Sequence, residues 1–278
     1  MAVESRTDYP TDLYRFSRSA EGVQGFAGIT DAHLDRFRDE GYLVVHEAFT
    51  LAETTAALDG LLDLINGSRP DFDGLEFESW AGEHANMPSR EEKQDYIRKL
   101  MWFVNYDDRL NALATHPALL HVVSRIVGDV PHMFQDMALI KPPGGGREKP
   151  WHQDKAYFDM KVDTPVVGVW IALDPATPEN GCMHVIPGSH RDGPVVHFQR
   201  RDWQLCDTTV ETARDVVVPL APGGLLLFDG LIHHGTPANL TTERRRAVQF
   251  HYAPRSAVWT DEDERLAIFG GEGRGVSC

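Results

Sequence analysis

Three stretches decide the fold of this chain: HMFQDMALIK (132–141), WHQDKAYFDM (151–160) and VVGVWIAL (166–173). Each is a short apolar-bearing run punctuated by Gly and Pro, and no helical period separates one from the next. The texture continues through Cys182–Ile186, Val195–Phe198, Asp215–Leu220, Gly224–Phe228 and Arg245–Tyr252. About eight strands without intervening helices predict a mainly β core over about 130–255, a jelly roll or barrel.

Upstream the reading changes to helices that buttress one face. Thr30 caps a helix over Asp31–Glu40 that Gly41 ends, and Tyr42–Val45 reads as a strand. Thr50 with Glu53 three residues on is a capping-box pattern. Leu51, Leu58, Leu62 and Ile65 then share one face of a helix over 51–66. Another helix is expected over 107–127, with Pro117 starting its second half. Residues 67–95 combine Gly, Pro and charge with Phe72, Phe77 and Trp80, as a lid that packs on something does. The first 24 residues read as a polar arm, and those from 259 as a loose tail. The expectation is one domain, 1–278, whose helical part spans about 25–128.

Charge removes whole classes of partner. Against 27 Lys and Arg stand 42 Asp and Glu, a formal net charge of -15. A chain this acidic repels polyanions, and Arg244–Arg246 is too short a cluster to offset it, so no nucleic-acid partner is expected. No apolar run approaches the roughly 20 residues of a membrane helix, and no membrane partner is expected. The first residues show neither a basic nor an apolar leader region. Three cysteines, odd in number and widely spaced, outline no disulfide framework. Together these point to a cytoplasmic protein.

The chemistry starts at Trp151-His152-Gln153-Asp154. On a strand, residues two apart share a face, so His152 and Asp154 converge. Two histidines and one carboxylate make the facial set that holds non-haem Fe(II), with positions left open for a cosubstrate and O₂. A second segment can complete it: His233-His234-Gly235-Thr236, followed by Arg244-Arg245-Arg246. An arginine suits the far carboxylate of a chelating keto-diacid such as 2-oxoglutarate, because its fork binds carboxylate through two hydrogen bonds.

These segments resemble the phytanoyl-CoA dioxygenase-like Fe(II)/2-oxoglutarate oxygenases. The matching text is KPP (141–143), WHQD (151–154), W-x-A-L (170–173), NGCMHVIPGSH (180–190) and HGT-x-x-N-x-T-x-x-x-R-R-A (234–247), in order across most of the expected β core. The resemblance implies a cupin-like double-stranded β-helix and an enzyme that binds Fe(II), 2-oxoglutarate and O₂ and releases succinate and CO₂. It assigns the metal to His152, Asp154 and His234, and the cosubstrate carboxylate to Arg245, with Arg244 and Arg246 turned outward. Further cosubstrate contacts are implied at Met137, Gln153, Trp170 and, upstream, Lys99. A carboxylate at Asp154, where related halogenating enzymes carry a small residue, implies hydroxylation or another oxidation.

Simpler readings stand beside these. His132, His184, His190 and His197 read as structural, and His251 shares Arg245's face and can touch the site. Gly144–Gly146 is a flexible approach and no phosphate cradle, since no Gly-Lys-Ser/Thr follows. Tyr157 and Phe158 are core or substrate wall. The competing functions are a cupin-type metalloenzyme that does not use 2-oxoglutarate and a non-catalytic ligand-binding relative. The expected substrate is a small apolar or amphipathic molecule. A CoA thioester is disfavoured, because no basic patch is visible in the sequence to meet its phosphates.

Overall fold

The computed structural model describes residues 8–78 and 90–271. Helix α1 (Asp31–Glu40) ends at Gly41, whose φ of 81° lies in the left-handed region that glycine tolerates. The turn delivers the chain into strand β1 (Tyr42–His46). Then come α2 (Leu51–Ile65), β2 (Ile97–Met101), α3 (Asp108–Ala114) and α4 (Pro117–Val127). The β half runs β3 (Pro131–Lys141), β4 (Lys149–His152), β5 (Val167–Ala172), β6 (Met183–Val185), β7 (Val216–Val218), β8 (Leu225–Asp229), β9 (His234–Thr236) and β10 (Arg245–Pro254). Helix α5 (Glu262–Phe269) follows.

Apart from a small hairpin of Phe198–Gln199 and Trp203–Gln204, the strands among the described residues form two sheets that do not close into a barrel. The larger has the order Gly22–Gln24, β1, β8, β5, β10, β3, β2, Leu75–Phe77. The smaller has the order Arg18–Ser19, β7, β6, β9, β4. From β3 to β10 the chain mostly alternates between the two sheets, which is jelly-roll connectivity. Period-2 alternation gives the larger sheet two apolar faces. Outward, Leu43, Val45, Val169, Leu227, Val248 and Phe250 join Leu61, Leu64, Leu110 and Val123 of the helices in one core. Inward, Tyr42, Val44, Trp170, Leu226 and Phe228 meet Met183, Val185 and Val216–Val218 of the smaller sheet. Burial of each such side chain contributes about 1.5–3 kcal/mol.

Several expectations change. The strand predicted over 151–160 ends at His152, and Asp154–Tyr157 is a 3₁₀ turn. Gln153 nevertheless stays extended (φ -114°, ψ 128°), so His152 and Asp154 keep their shared face. On α2, Leu51 is 72% exposed, and Ala57, Leu61, Leu64 and Ile65 are the buried face. The helix expected over 107–127 is two, separated at Thr115–His116. The strand expected at Val195–Phe198 reduces to Phe198–Gln199. The tail forms α5, because Asp261 caps its first turn through Glu264 N and Phe269 buries beside Ala156 and Trp203. The arm also lies on the body: Leu13 is buried, and Tyr14 stacks on Trp151 with ring centroids 5.5 Å apart. Of the expected lid, Phe72 packs on Tyr106 and Leu75–Phe77 extends the larger sheet, while Trp80 lies outside the described residues.

Candidate functional site

His152 sits at the end of β4 and His234 at the start of β9, directly paired across the smaller sheet. Each ring is fixed by its own backbone. His152 Nδ1 bonds the Pro150 carbonyl at 2.7 Å, and His234 Nδ1 bonds the Ile232 carbonyl at 3.0 Å. A carbonyl only accepts, so Nδ1 donates in both rings, which in the neutral imidazole leaves Nε2 as the acceptor and metal-binding atom. Those two Nε2 atoms face Asp154 Oδ1 at 3.2 and 3.5 Å. One donor atom from each residue lies within 4.8 Å of the others, and all three side chains are buried. Burial, reinforced by His234, pushes His152 down to about 4, so it is neutral at pH 7. Three buried donor atoms that converge on one point fit a divalent cation.

Asp154 is oriented from behind by β10. His251 Nε2 donates to Asp154 Oδ2 at 2.7 Å, and Gln249 Nε2 donates to the same oxygen at 3.1 Å. With Oδ2 held, Oδ1 is the oxygen turned toward the two Nε2 atoms, the supporting arrangement that a ligand carboxylate would require. His251 therefore does touch the site. Phe228 packs beside His234 with ring centroids 4.7 Å apart. Gly168 makes room for that ring, since a Cβ there would stand 2.2 Å from it.

The triad opens on a cavity of about 240 Å³ between the sheets, far above the water-sized voids that ordinary packing leaves. Two strand-pairs further along β10, Arg245 lines the same cavity, 1% exposed. Among the described residues its Nε has no partner, and Nη1 makes a long 3.3 Å bond to the Leu139 carbonyl. Burial lowers it to about 10, which still leaves it charged at pH 7. A buried guanidinium with no counter-ion among the described residues, in one cavity with a metal-type donor set, fits a chelating diacid.

The other expected residues divide. Met137 and Lys99 line the cavity, Lys99 with Glu76 3.0 Å away. Trp170 is fully buried beneath Arg245, whose Cζ lies 5.5 Å from its ring, so it supports the arginine from below. Gln153 is not brought to the cavity, which corrects the expectation for it. Its amide donates to the Gly193 and Leu231 carbonyls at 2.9 and 2.7 Å and accepts from Val195 N at 2.8 Å. That bracing ties the His152–Asp154 turn to the segment entering His234. Arg244 and Arg246 point outward as expected, but paired with Asp95 and Asp174. Tyr157 and Phe158 both belong to the cavity wall. The sequence reading missed Thr236 and Gln249, both buried and lining the cavity. Period-2 alternation from His234 and Arg245 is the signal that finds them.

A jelly roll with this donor set and this arginine defines a non-haem Fe(II), 2-oxoglutarate-dependent oxygenase. The phytanoyl-CoA dioxygenase (PhyH) family model matches residues 37–247, and the chain belongs to that family. A zebrafish (Danio rerio) phytanoyl-CoA dioxygenase domain-containing protein 1 is 27% identical over 276 residues, covering 84% of this chain and 94% of that protein. A methylphosphonate hydroxylase of Gimesia maris is 26% identical over 229 residues, covering 81% and 80%. Among solved structures, EvdO2 from Micromonospora carbonacea complexed with 2-oxoglutarate superposes with a TM-score of 0.66 at 24% identity, covering 87% and 97%. EctD from S. alaskensis with bound Fe does so with a TM-score of 0.68 at 22% identity, covering 84% and 79%.

Proposed function

We propose that His152, Asp154 and His234 hold Fe(II), that Arg245 binds the far carboxylate of 2-oxoglutarate, and that the enzyme oxidises, most simply by hydroxylation, a small organic molecule. Carrying this reading is the pairing, within one cavity, of three buried convergent donor atoms and one buried guanidinium with no counter-ion among the described residues. When bound, iron and 2-oxoglutarate supply the oxidising power, O₂ being consumed and succinate and CO₂ released. The chain's own residues do the positioning. His152 and His234 present Nε2 because backbone carbonyls hold Nδ1. Asp154 presents one oxygen because His251 and Gln249 hold the other. Arg245 is aimed by Trp170 beneath it, and we assign Met137, Thr236 and Lys99 to the cosubstrate's surroundings. Met101, Leu139, Ile140, Phe158 and Met183 form an apolar wall that keeps water off the reacting centre and suits an apolar or amphipathic substrate.

We further infer one domain working in the cytoplasm, without nucleic-acid or membrane partners. The net charge of -15 supports the first exclusion. No helix among the described residues is long and apolar enough to cross a membrane.

The test is an anaerobic titration of metal-free protein with Fe(II) and then 2-oxoglutarate, read by the visible charge-transfer band of the chelate. The band should form in the native protein and be absent in His152→Ala. Iron binding without a band would overturn the 2-oxoglutarate assignment in favour of a cupin-type metalloenzyme. No iron binding at all would leave a ligand-binding relative.

A further inference from the structure

The sequence shows no basic patch, yet the fold builds one. Arg98, Lys99, Lys141, Arg147, Lys149 and Arg245 all line the cavity, against Glu78, Glu148, Asp154 and Asp202. In a chain of net charge -15, this cavity is lined by more basic than acidic side chains, with Lys99 paired to Glu76 outside it. Their local pairing shows where the excess sits. Glu78 is taken by Arg147 at 2.8 Å, and Glu148 by Arg201 at 2.7 Å. Asp154 belongs to the metal group. That leaves Asp202 as the carboxylate facing two cations.

Those cations reach it from opposite sheets. Arg98 stands on β2 near the edge of the larger sheet, and Lys149 on β4 at the edge of the smaller one. Arg98 Nη2 and Lys149 Nζ both donate to Asp202 Oδ2, at 3.0 and 2.9 Å. One carboxylate oxygen is thus clamped by two positive groups across the open side of the jelly roll. The clamp is one ring from the metal group: Lys149 Nζ also donates to Tyr157 Oη at 2.8 Å, and the Tyr157 ring meets the His152 ring edge-on at 5.7 Å. Beside it runs the apolar wall of Met101, Met137, Leu139 and Phe158.

We propose that the Arg98–Lys149 pair receives an anionic head group of the substrate, a carboxylate or phosphonate-type oxyanion, with Asp202 as its internal placeholder. The inference rests on the functional reading above and narrows it. The substrate is amphipathic, its charged end lies at the open edge between the sheets, and its apolar body extends along the methionine wall. Two cations converging on one oxygen recognise an anion and give a neutral polar group no comparable advantage.

Protein loaded anaerobically with Fe(II) and 2-oxoglutarate is titrated with hexanoate, hexylphosphonate and hexan-1-ol, reading the perturbation of the visible band and the heat of binding. One or both anions should bind, their relative affinity distinguishing carboxylate from phosphonate, and hexan-1-ol should bind much more weakly. Arg98→Gln and Lys149→Gln should each weaken anion binding by about tenfold. Asp202→Asn, which removes the competing carboxylate, should strengthen it, a gain that a misfolded protein does not produce. The proposal is overturned if hexan-1-ol binds as well as the anions, if neither anion binds the loaded native protein, or if Asp202→Asn leaves anion affinity unchanged. Failure of the band to form before any probe is added overturns the functional reading instead, so the two failures are told apart.

Discussion

On the outward face of β10, Val248, Phe250 and Tyr252 are buried among aliphatic and aromatic side chains of the helical layer. On its inward face, Arg245 has no counter-ion among the described residues, while Gln249 and His251 hold one oxygen of Asp154. Both faces are almost wholly excluded from water, but burial has opposite energetic meaning on them. Outward, it is the source of stability, about 25 cal/mol per Å² of apolar surface removed from water. Inward, it charges a penalty for desolvating ionic groups, recovered only when ligands arrive. One strand thus holds the fold together on one side and stores binding capacity on the other. Substitutions a single residue apart should therefore have effects of different kinds.

The largest effect is expected outward. Phe250→Ala should lower the unfolding free energy by about 3–5 kcal/mol, the usual cost of truncating a fully buried aromatic. Urea unfolding measures it, and the folded fraction should still form the Fe(II)·2-oxoglutarate band. Loss of the band from folded protein would show that the faces are not separable. Next is Arg245→Ala, with the opposite pattern. The ligand-free melting temperature should hold or rise, since a desolvated charge is removed, while the dissociation constant for 2-oxoglutarate rises about a hundredfold. Arg245→Lys should not restore it, because an ammonium lacks the planar fork. A fall in ligand-free stability as large as that of Phe250→Ala would break the comparison. His251→Leu comes third. Removing one of two donors to Asp154 Oδ2 should weaken Fe(II) binding by about tenfold, measured by competition with a chelator, with Gln249 keeping the rest.

How far the sequence carried the reading follows the same division. The outward face and the strand positions were legible because apolar alternation is a local signal, readable over a few residues. The triad and Arg245 were legible because each lies in a segment whose residue types and spacing resemble a family pattern. Gln153 was misread, because the family resemblance placed it at the cosubstrate, although the alternation that brings His152 and Asp154 to one face turns the residue between them to the other. Here it points away, to carbonyls 40 and 78 residues further along. The Arg98–Asp202–Lys149 clamp was invisible, since its members are scattered over more than a hundred residues and only the meeting of two sheet edges brings them together. Leu51, read as part of the buried face of α2 but 72% exposed, shows a smaller version of the same limit: periodicity finds a helix but not where along it the covered stripe begins, while Leu58, Leu62 and Ile65 do pack on the core.

The smallest expected effect lies in the helical layer, at the start of α2. Thr50 Oγ1 accepts from Glu53 N at 3.3 Å, while Thr50 N and Oγ1 donate to Glu53 Oε2 at 2.8 and 2.7 Å. Thr50→Ala removes the hydroxyl half of this box and should cost about 1 kcal/mol in urea unfolding. The same bonds hold the Glu53 carboxyl below its usual range. For a carboxylate depressed in the folded state, the stabilisation is present above the unfolded-state pKa and is lost as pH falls through the folded one. The gap between native and Thr50→Ala protein should therefore be full at pH 7 and shrink on the acid side of the normal glutamate range. Cofactor binding should not change, because the cap touches only the layer that supports the outward face. A shifted 2-oxoglutarate affinity in this variant would mean that the helical layer sets the geometry of the cavity as well as covering the sheet.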